Sequence, residues 1–433
     1  MSPVRIDTLA YGGDGVGHLA DGRVVFVPGT CPGDVLEARD IEDHGRWTRA
    51  RAFDLVEPSP HRVDPPCPYA GSCGGCQWQH VAYETQLAEK ARAVTDALER
   101  IGGIPHDVVR PIVPSPDALG YRNKIELVAD PQAPKPTLGF HAIGSNDVVP
   151  VERCLLVRDR AQQAPKSLTG ALRYLSGRHG ELAVKRVGLR VAANRTDLQV
   201  ALWTAPGPFP RHAVANTLCD AVGASSVVRV LLRDDTRRTI AGVEVLSGHG
   251  VWKERLAGFE FGISAPSFFQ VNTAAAERLV ELVLDALDPG PEDRIADVYA
   301  GAGTFTLPLA RRAGEVVAIE GSSAAIGDLR RNLERADLFA DVIGGAAERE
   351  LPTAGAFEHA VVDPPRQGLA VEALDALAAT QARSIAYVSC DPSTLARDCQ
   401  RLVDRGYVVR HATPVDLFPQ TFHVETVVVL DRG

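Results

Sequence analysis

Residues 294–305 read RIADVYAGAGTF, an apolar run that breaks into a loop carrying Gly301 and Gly303. Three more apolar runs follow, EVVAIEG (315–321), HAVVDPPRQG (359–368) and SIAYVSCDP (384–392), with helical stretches between them. That alternation predicts βαβ units stacked into a parallel sheet, an α/β fold. The chain closes on HVETVVVLDR (423–432), a strand expected to return to the edge of that sheet.

In a doubly wound sheet, ligands bind at the carboxyl ends of the strands, where glycines let the backbone come close. Gly301 and Gly303 supply such a loop, with Asp297 in the strand before it. Glu320 ends the next strand, at the distance where an acid accepts hydrogen bonds from ribose hydroxyls. Thr306 stands where a dinucleotide fingerprint wants its third glycine, and no P-loop lysine follows, which disfavours NAD and ATP. S-adenosylmethionine, which has no phosphates to cradle, fits better. The competing reading is a tight strand-to-helix turn with nothing bound. Pro364 and Pro365 hold the chain extended after Asp363 and set that carboxylate beside the same crevice.

Cys390 lies where the run SIAYVS stops, followed at once by Asp391-Pro392. With Asp391 as N-cap and Pro392 in the first helical position, the thiol sits at a strand end and a helix start. A helix N-terminus favours thiolate, the nucleophilic form, while the neighbouring Asp391 opposes it. A thiolate beside a methyl donor suggests one chemistry in particular. Carbon 5 of uracil is too poor a nucleophile to take a methyl group directly. Addition of a thiolate to carbon 6 moves electron density to carbon 5 as an enolate, and a base must later remove the carbon 5 proton so that the thiolate can leave. Glu425 is the candidate base, with His423 a weaker one if both lie on one face of a regular strand.

Upstream, residues 1–57 alternate short β-like runs with turn signals and predict a five-stranded barrel. Pro58, Pro60, Pro65 and Pro66 mark a linker into PPCPYAGSCGGCQ, where three of the eight cysteines, Cys67, Cys73 and Cys76, cluster. Eight cysteines in 433 residues are too sparse for a disulfide scaffold, so the cluster reads as metal binding or catalysis. Residues 82–100 have helical periodicity, stopped by Gly102-Gly103. Strand-like runs such as LQVALWT (198–204) and VVRVLLRDD (227–235) then mix with helices in an α+β middle domain. The expected domains are 1–57, 58–110, 111–265 and 266–433. A net charge of −9 argues against gripping nucleic acid by charge alone. With no signal-like start and no run long enough to span a bilayer, the expected protein is cytoplasmic, away from the membrane, and nothing demands more than a monomer.

DPPRQG, then IAYVSCDPST sixteen residues later, then DLFPQTFHVE (416–425), resemble the paired signatures of S-adenosylmethionine-dependent RNA (uracil-5-)methyltransferases. The resemblance extends over nearly the whole chain. It implies a class I, Rossmann-like methyltransferase sheet and an N-terminal TRAM domain, an oligonucleotide-binding-like module. Carried over residue by residue, it implies that Gln270, Tyr299, Glu320 and Asp363 bind S-adenosylmethionine, Cys390 is the nucleophile and Glu425 the base. YRNK (121–124) resembles a middle-domain motif, and Arg122 and Phe268 become candidates for contacts to the target base. Cys67, Cys73 and Cys76, with Cys154 as the fourth, resemble the family's [4Fe–4S] ligands; zinc is the rival. A barrel plus an iron–sulfur module implies 23S ribosomal RNA as substrate, with transfer RNA the alternative and a non-catalytic RNA-binding protein the rival from another class. Methylation of a small molecule is a third reading, one that leaves the barrel without a purpose. Asp391 stands where the family usually has Asn, and Ala300 where it often has Cys. The barrel bears Asp34, Glu37, Asp40, Glu42 and Asp43, leaving RNA contact to Arg39, Arg46, Arg49 and Arg51.

Overall fold

The computed structural model describes residues 3–233 and 239–433, so Met1, Ser2 and the last two residues of the VVRVLLRDD run lie outside the described residues. The N-terminal strands β1 (Val4–Leu9), β2 (Gly15–His18), β3 (Val24–Val27), β4 (Val35–Asp43) and β5 (Trp47–Glu57) close into a barrel in the order β1-β2-β3-β5-β4. Alternation does the work: Val4, Ile6, Val25, Val27, Leu36, Ala38 and Ala50 fill the interior. Helix α1 (Tyr83–Arg100) begins one residue later than the periodicity predicts. It ends where Gly103 takes a φ of +61, a conformation that favours glycine.

The middle domain is α+β, as expected. β6 (Lys124–Ala129), β7 (Leu138–His141), β8 (Val148–Pro150), α2 (Ala164–His179), β9 (Val184–Val191), β10 (Leu198–Thr204), α3 (Arg211–Val222), β11 (Ser226–Leu232) and β12 (Ile240–Ser247) form one sheet in the order β12-β11-β10-β9-β6-β7-β8. Leu168, Leu172 and Leu175 of α2 and Val214 and Leu218 of α3 pack into the core of this sheet. A hairpin, β13 (Val251–Leu256) and β14 (Phe259–Ser264), follows, and its Trp252, Phe261 and Ile263 share a core with helix α4 (Thr273–Leu287).

The last sheet is built from β15 (Arg294–Val298), α5 (Thr306–Ala310), β16 (Glu315–Glu320), α6 (Ser323–Ala336), β17 (Asp341–Gly344), α7 (Ala347–Ala354), β18 (His359–Val362), α8 (Val371–Ala379), β19 (Ser384–Ser389), α9 (Pro392–Val403), β20 (Tyr407–Val415) and β21 (Glu425–Arg432). Its order is β17-β16-β15-β18-β19-β21-β20, with the first five strands parallel. The chain reverses direction across the sheet at β15 and β18, so the crevice for ligands opens beyond their carboxyl ends.

The terminal strand corrects one expectation. β21 is not at the edge; it is inserted antiparallel between β19 and β20. Its residues Glu425–Leu430 are all buried.

Candidate active site

The position of Cys390 follows from register. β19 and β21 run antiparallel with Ser389 opposite Thr426, so one step further brings Cys390 opposite Glu425. Glu425 is the first residue of β21 and is 4% exposed. Asp391 caps α9, its Oδ1 accepting from Ser393 N–H at 2.9 Å and Thr394 N–H at 3.0 Å, with Pro392 in the first turn as expected.

The electrostatics differ from the expected helix-stabilised thiolate. Burial pushes the Cys390 thiol up to about 12, the Glu425 and Asp363 carboxylates push the same way, and the Arg366 guanidinium pulls it back. The helix N-terminus contributes little because Asp391 already occupies its free N–H groups. Glu425 is itself held well above the usual carboxylate range, by burial first and by Asp363 second, against Arg366. Asp363, following β18, is raised to about 7 by burial and by Asp297. Burial thus favours the protonated form of all three groups, and the Arg366 guanidinium opposes it at Cys390 and Glu425.

His423 does not share a strand face with Glu425, because β21 starts only at Glu425. Burial and the charges of Arg366, Lys90 and Arg122 lower it to about 3, so it is a poor proton acceptor at neutral pH.

Beyond β15, Tyr299 adopts a φ of +65 and both its N–H and that of Ala300 bond to the Ile319 carbonyl at the end of β16. Gly301 has a φ of +57, and a side chain there would meet no atom within 4 Å, so the loop presents open backbone to the crevice. Gly303 is tight: a Cβ would lie 2.5 Å from Leu307 and 2.7 Å from Leu329. Glu320 accepts from Gly301 N–H at 2.8 Å and Ser322 N–H at 2.6 Å, which holds its carboxylate at the mouth of the loop. Gln270 is buried, and its carbonyl accepts from the Asn123 side chain of YRNK at 2.8 Å. Phe268, two residues earlier, is 66% exposed.

A cavity of about 520 Å³ is lined by Cys67, Cys73, Cys76 and Cys154 together, with Arg122 and His423. Cys154 is thus brought beside three cysteines about eighty residues away in sequence. Burial pushes Cys76 up to about 12 and raises Cys73 and Cys154, and the neighbouring thiols add to the rise. Among the described residues, no three His, Cys, Asp or Glu side chains form a set that could hold a metal ion. Arg122 therefore lies on the cysteine cavity, close to Cys76 and Cys154.

A family model described as tRNA (uracil-5-)methyltransferase matches residues 230–343 and 351–433, and a TRAM-domain model matches residues 2–53. A Gloeobacter violaceus protein described as an uncharacterized RNA methyltransferase is 37% identical, covering 99% of this chain and 96% of its own. A Chlorobaculum tepidum protein with the same description is 36% identical over 96% of this chain and 93% of its own. The solved Pyrococcus abyssi tRNA (uracil-54, C5)-methyltransferase, in complex with S-adenosyl-L-homocysteine, superposes with a TM-score of 0.79 at 27% identity. That match covers 99% of this chain and 100% of that one. The chain belongs to the RNA (uracil-5-)methyltransferase family.

Three features of this S-adenosylmethionine-dependent methyltransferase escaped the sequence reading. Arg366 lies within the quoted DPPRQG motif, yet only folding brings it to Cys390. Its loop is pinned to α9: Thr394 Oγ1 donates to the Arg366 carbonyl at 3.1 Å, and Arg397 donates to the Gln367 carbonyl at 2.8 Å. Gly368 closes that loop with a φ of +73, where a Cβ would lie 2.3 Å from Asp398. The second is Tyr11, from the turn between β1 and β2, whose hydroxyl donates to the Cys390 carbonyl at 2.8 Å.

The third is the scaffold under DLFPQTFHVE. Lys90 of α1 makes a fully buried ion pair with Asp416 at 2.6 Å and also donates to the Phe418 carbonyl. Gln86 exchanges hydrogen bonds with Gln420, and Tyr83 donates to Asp416 at 2.9 Å. Asp416 and Gln420 of that motif hold the segment leading into Glu425. No pattern in the α1 sequence announces partners more than three hundred residues away.

Among the described residues no helix is long and apolar enough to cross a membrane.

Proposed function

We propose that this enzyme methylates carbon 5 of a uridine in structured RNA through a covalent adduct between Cys390 and carbon 6. The observation that carries the reading is the register that sets Cys390 against Glu425, with Asp363 and Arg366 beside them. The Cys390 thiol gives its proton to the Asp363 carboxylate as its sulfur bonds to carbon 6, leaving Glu425 free to act later, and the displaced electron pair makes carbon 5 nucleophilic. Arg366 offsets the negative charge that develops on sulfur. Carbon 5 then takes the methyl group, Glu425 removes the remaining carbon 5 proton, the double bond re-forms and the bond to Cys390 breaks. The target base must leave its stack to reach Cys390, at a cost of a few kcal/mol.

S-adenosylmethionine, which supplies a methyl group on a positively charged sulfur, would be held by Gln270, Tyr299, Gly301, Gly303, Glu320 and Asp363. The open backbone at Gly301 and the strand-end carboxylate at Glu320 fit it. Cys67, Cys73, Cys76 and Cys154 would hold a [4Fe–4S] cluster. Four cysteines lining one cavity supply the soft thiolate donors that an iron–sulfur group or zinc takes, although among the described residues no three of them form a set that could hold a metal ion. The cluster's charge would offset the four thiolates, a supporting role, since methyl transfer through a thiolate needs no electron. Phe268, being exposed, suits stacking on the extruded base, and Arg122 would reach it only from the cysteine cavity.

The cluster-bearing architecture favours 23S ribosomal RNA, acted on by a cytoplasmic monomer. Transfer RNA is the second reading, because the Pyrococcus abyssi protein, whose substrate is tRNA, matches over the full length, barrel included. Mass-spectrometric mapping of 5-methyluridine in both RNA classes, from cells with and without the gene, separates them. Loss at a ribosomal position supports the first and loss in transfer RNA the second. No loss in either overturns the enzyme reading in favour of a non-catalytic RNA-binding role.

A further inference from the structure

The barrel has an outward face that its charges do not explain. In β3 and β5, Val25, Val27, Thr48 and Ala50 are buried, so the alternate residues Val24, Phe26, Trp47 and Arg49 point outward. Register pairs Val24 with Trp47 and Phe26 with Arg49, which sets two large aromatic residues side by side where polar residues are the rule. Phe26 meets Trp47 edge-on at 5.6 Å, His44 stacks on Trp47 at 4.0 Å, and Trp47 still exposes 38% of its surface. Phe26 and Trp47, with Val24, Arg49 and Tyr11, line a groove of about 490 Å³. The same Tyr11 donates to the Cys390 carbonyl and packs edge-on against Phe422 at 5.3 Å. The groove is thus one side chain from the nucleophile.

A grip on phosphates is a poor use for this face. Arg49 is paired with Asp14 at 2.8 Å, Arg39 with Asp54 and Arg51 with Glu42. Stacking remains available, because every base has a π-face and stacking on an aromatic side chain needs no charge. Extruding the target uridine also costs its neighbours a stacking partner, and an aromatic surface beside Cys390 replaces it. The geometry points to the groove of Tyr11, Phe26 and Trp47 as a stacking subsite for an unpaired nucleotide of the RNA adjacent to the target uridine. This rests on the enzyme acting on RNA, as proposed above.

The test uses the full chain carrying Cys390→Ala, to prevent turnover, with a short oligouridylate and with the RNA mapped as substrate. Adding Trp47→Ala should weaken binding of both about ten-fold, Trp47→Phe should restore most of it, and the slope of affinity against salt should not change. Unchanged S-adenosylmethionine binding controls for folding. Should Trp47→Ala misfold, ultraviolet crosslinking of the otherwise wild-type chain to 4-thiouridine-substituted RNA should map to the peptides holding Tyr11 or Trp47. RNA affinity unchanged by Trp47→Ala, or crosslinks confined to other peptides, would overturn the subsite and leave the strip to a protein partner. Absence of any 5-methyluridine formation by the wild type would instead sink the enzyme reading.

Discussion

Two sets of half-buried thiols differ in their company. Cys390 faces the carboxylates of Glu425 and Asp363, with Arg366 alone opposing them. Cys67, Cys73, Cys76 and Cys154 face one another, with Arg122 opposing them. Burial raises Cys390 and also Cys73, Cys76 and Cys154, so exposure alone does not separate the proposed nucleophile from the proposed ligands. On the proposed reading the partners do: a carboxylate can take a proton from a thiol and return it, whereas thiols that face only other thiols have no such acceptor beside them.

The strongest way to break that contrast is Cys390→Ala. It should reduce methyl transfer to RNA by at least about a thousand-fold, as expected for loss of a covalent nucleophile. Wild-type protein, but not the variant, should form a denaturation-resistant adduct with RNA containing 5-fluorouridine, in which the fluorine cannot leave as a proton does. Residual turnover above a hundredth of wild type would remove Cys390 from the mechanism.

Glu425→Gln should lower turnover by about a hundred- to ten-thousand-fold and, unlike Cys390→Ala, accumulate protein covalently joined to methylated RNA. A variant that loses adduct formation altogether would assign Glu425 to thiol activation and not to the later proton removal.

Arg366→Ala sharpens the electrostatic half of the comparison. Without the guanidinium the thiol pKa moves further up, so the pH at which the rate rises moves up too. Turnover at neutral pH should fall about ten- to a hundred-fold and recover in part in alkaline buffer. A pH–rate profile with an unmoved acid limb would dissociate Arg366 from Cys390.

On the other side, Cys76→Ser should lower the thermal unfolding midpoint and abolish visible absorption from any iron–sulfur centre. The folded fraction should still form the 5-fluorouridine adduct at a rate within about three-fold of wild type. A thousand-fold loss would erase the distinction between the two thiol sets.

The smallest effect belongs to Asp391→Asn. Asn caps a helix about as well as Asp, and Asp391 already spends its carboxylate on Ser393 and Thr394 N–H groups. Turnover should stay within about three-fold and stability within roughly 0.5 kcal/mol. A large gain in rate would mean that the charge does reach the thiol.

Local pattern was enough for the parallel sheet, the strand-end positions of Cys390, Glu320 and Asp363, the N-cap at Asp391 and the barrel, because each depends on neighbours in sequence. The gathering of Cys154 with Cys67, Cys73 and Cys76 was reached only through the family pattern, since their spacing carries no contact information. The place of β21 between β19 and β20, the neutral state of His423 and the upward shift of Cys390 depend on burial and on charges brought from other segments. The same holds for Arg366 and Tyr11 beside Cys390, and for Lys90 under the segment leading into Glu425. Sequence by itself determined which chemical groups this protein owns and which strand or helix carries each. Tertiary structure alone decided which groups meet and how dry the meeting place is, because Coulomb interactions and desolvation act through space and not along the chain.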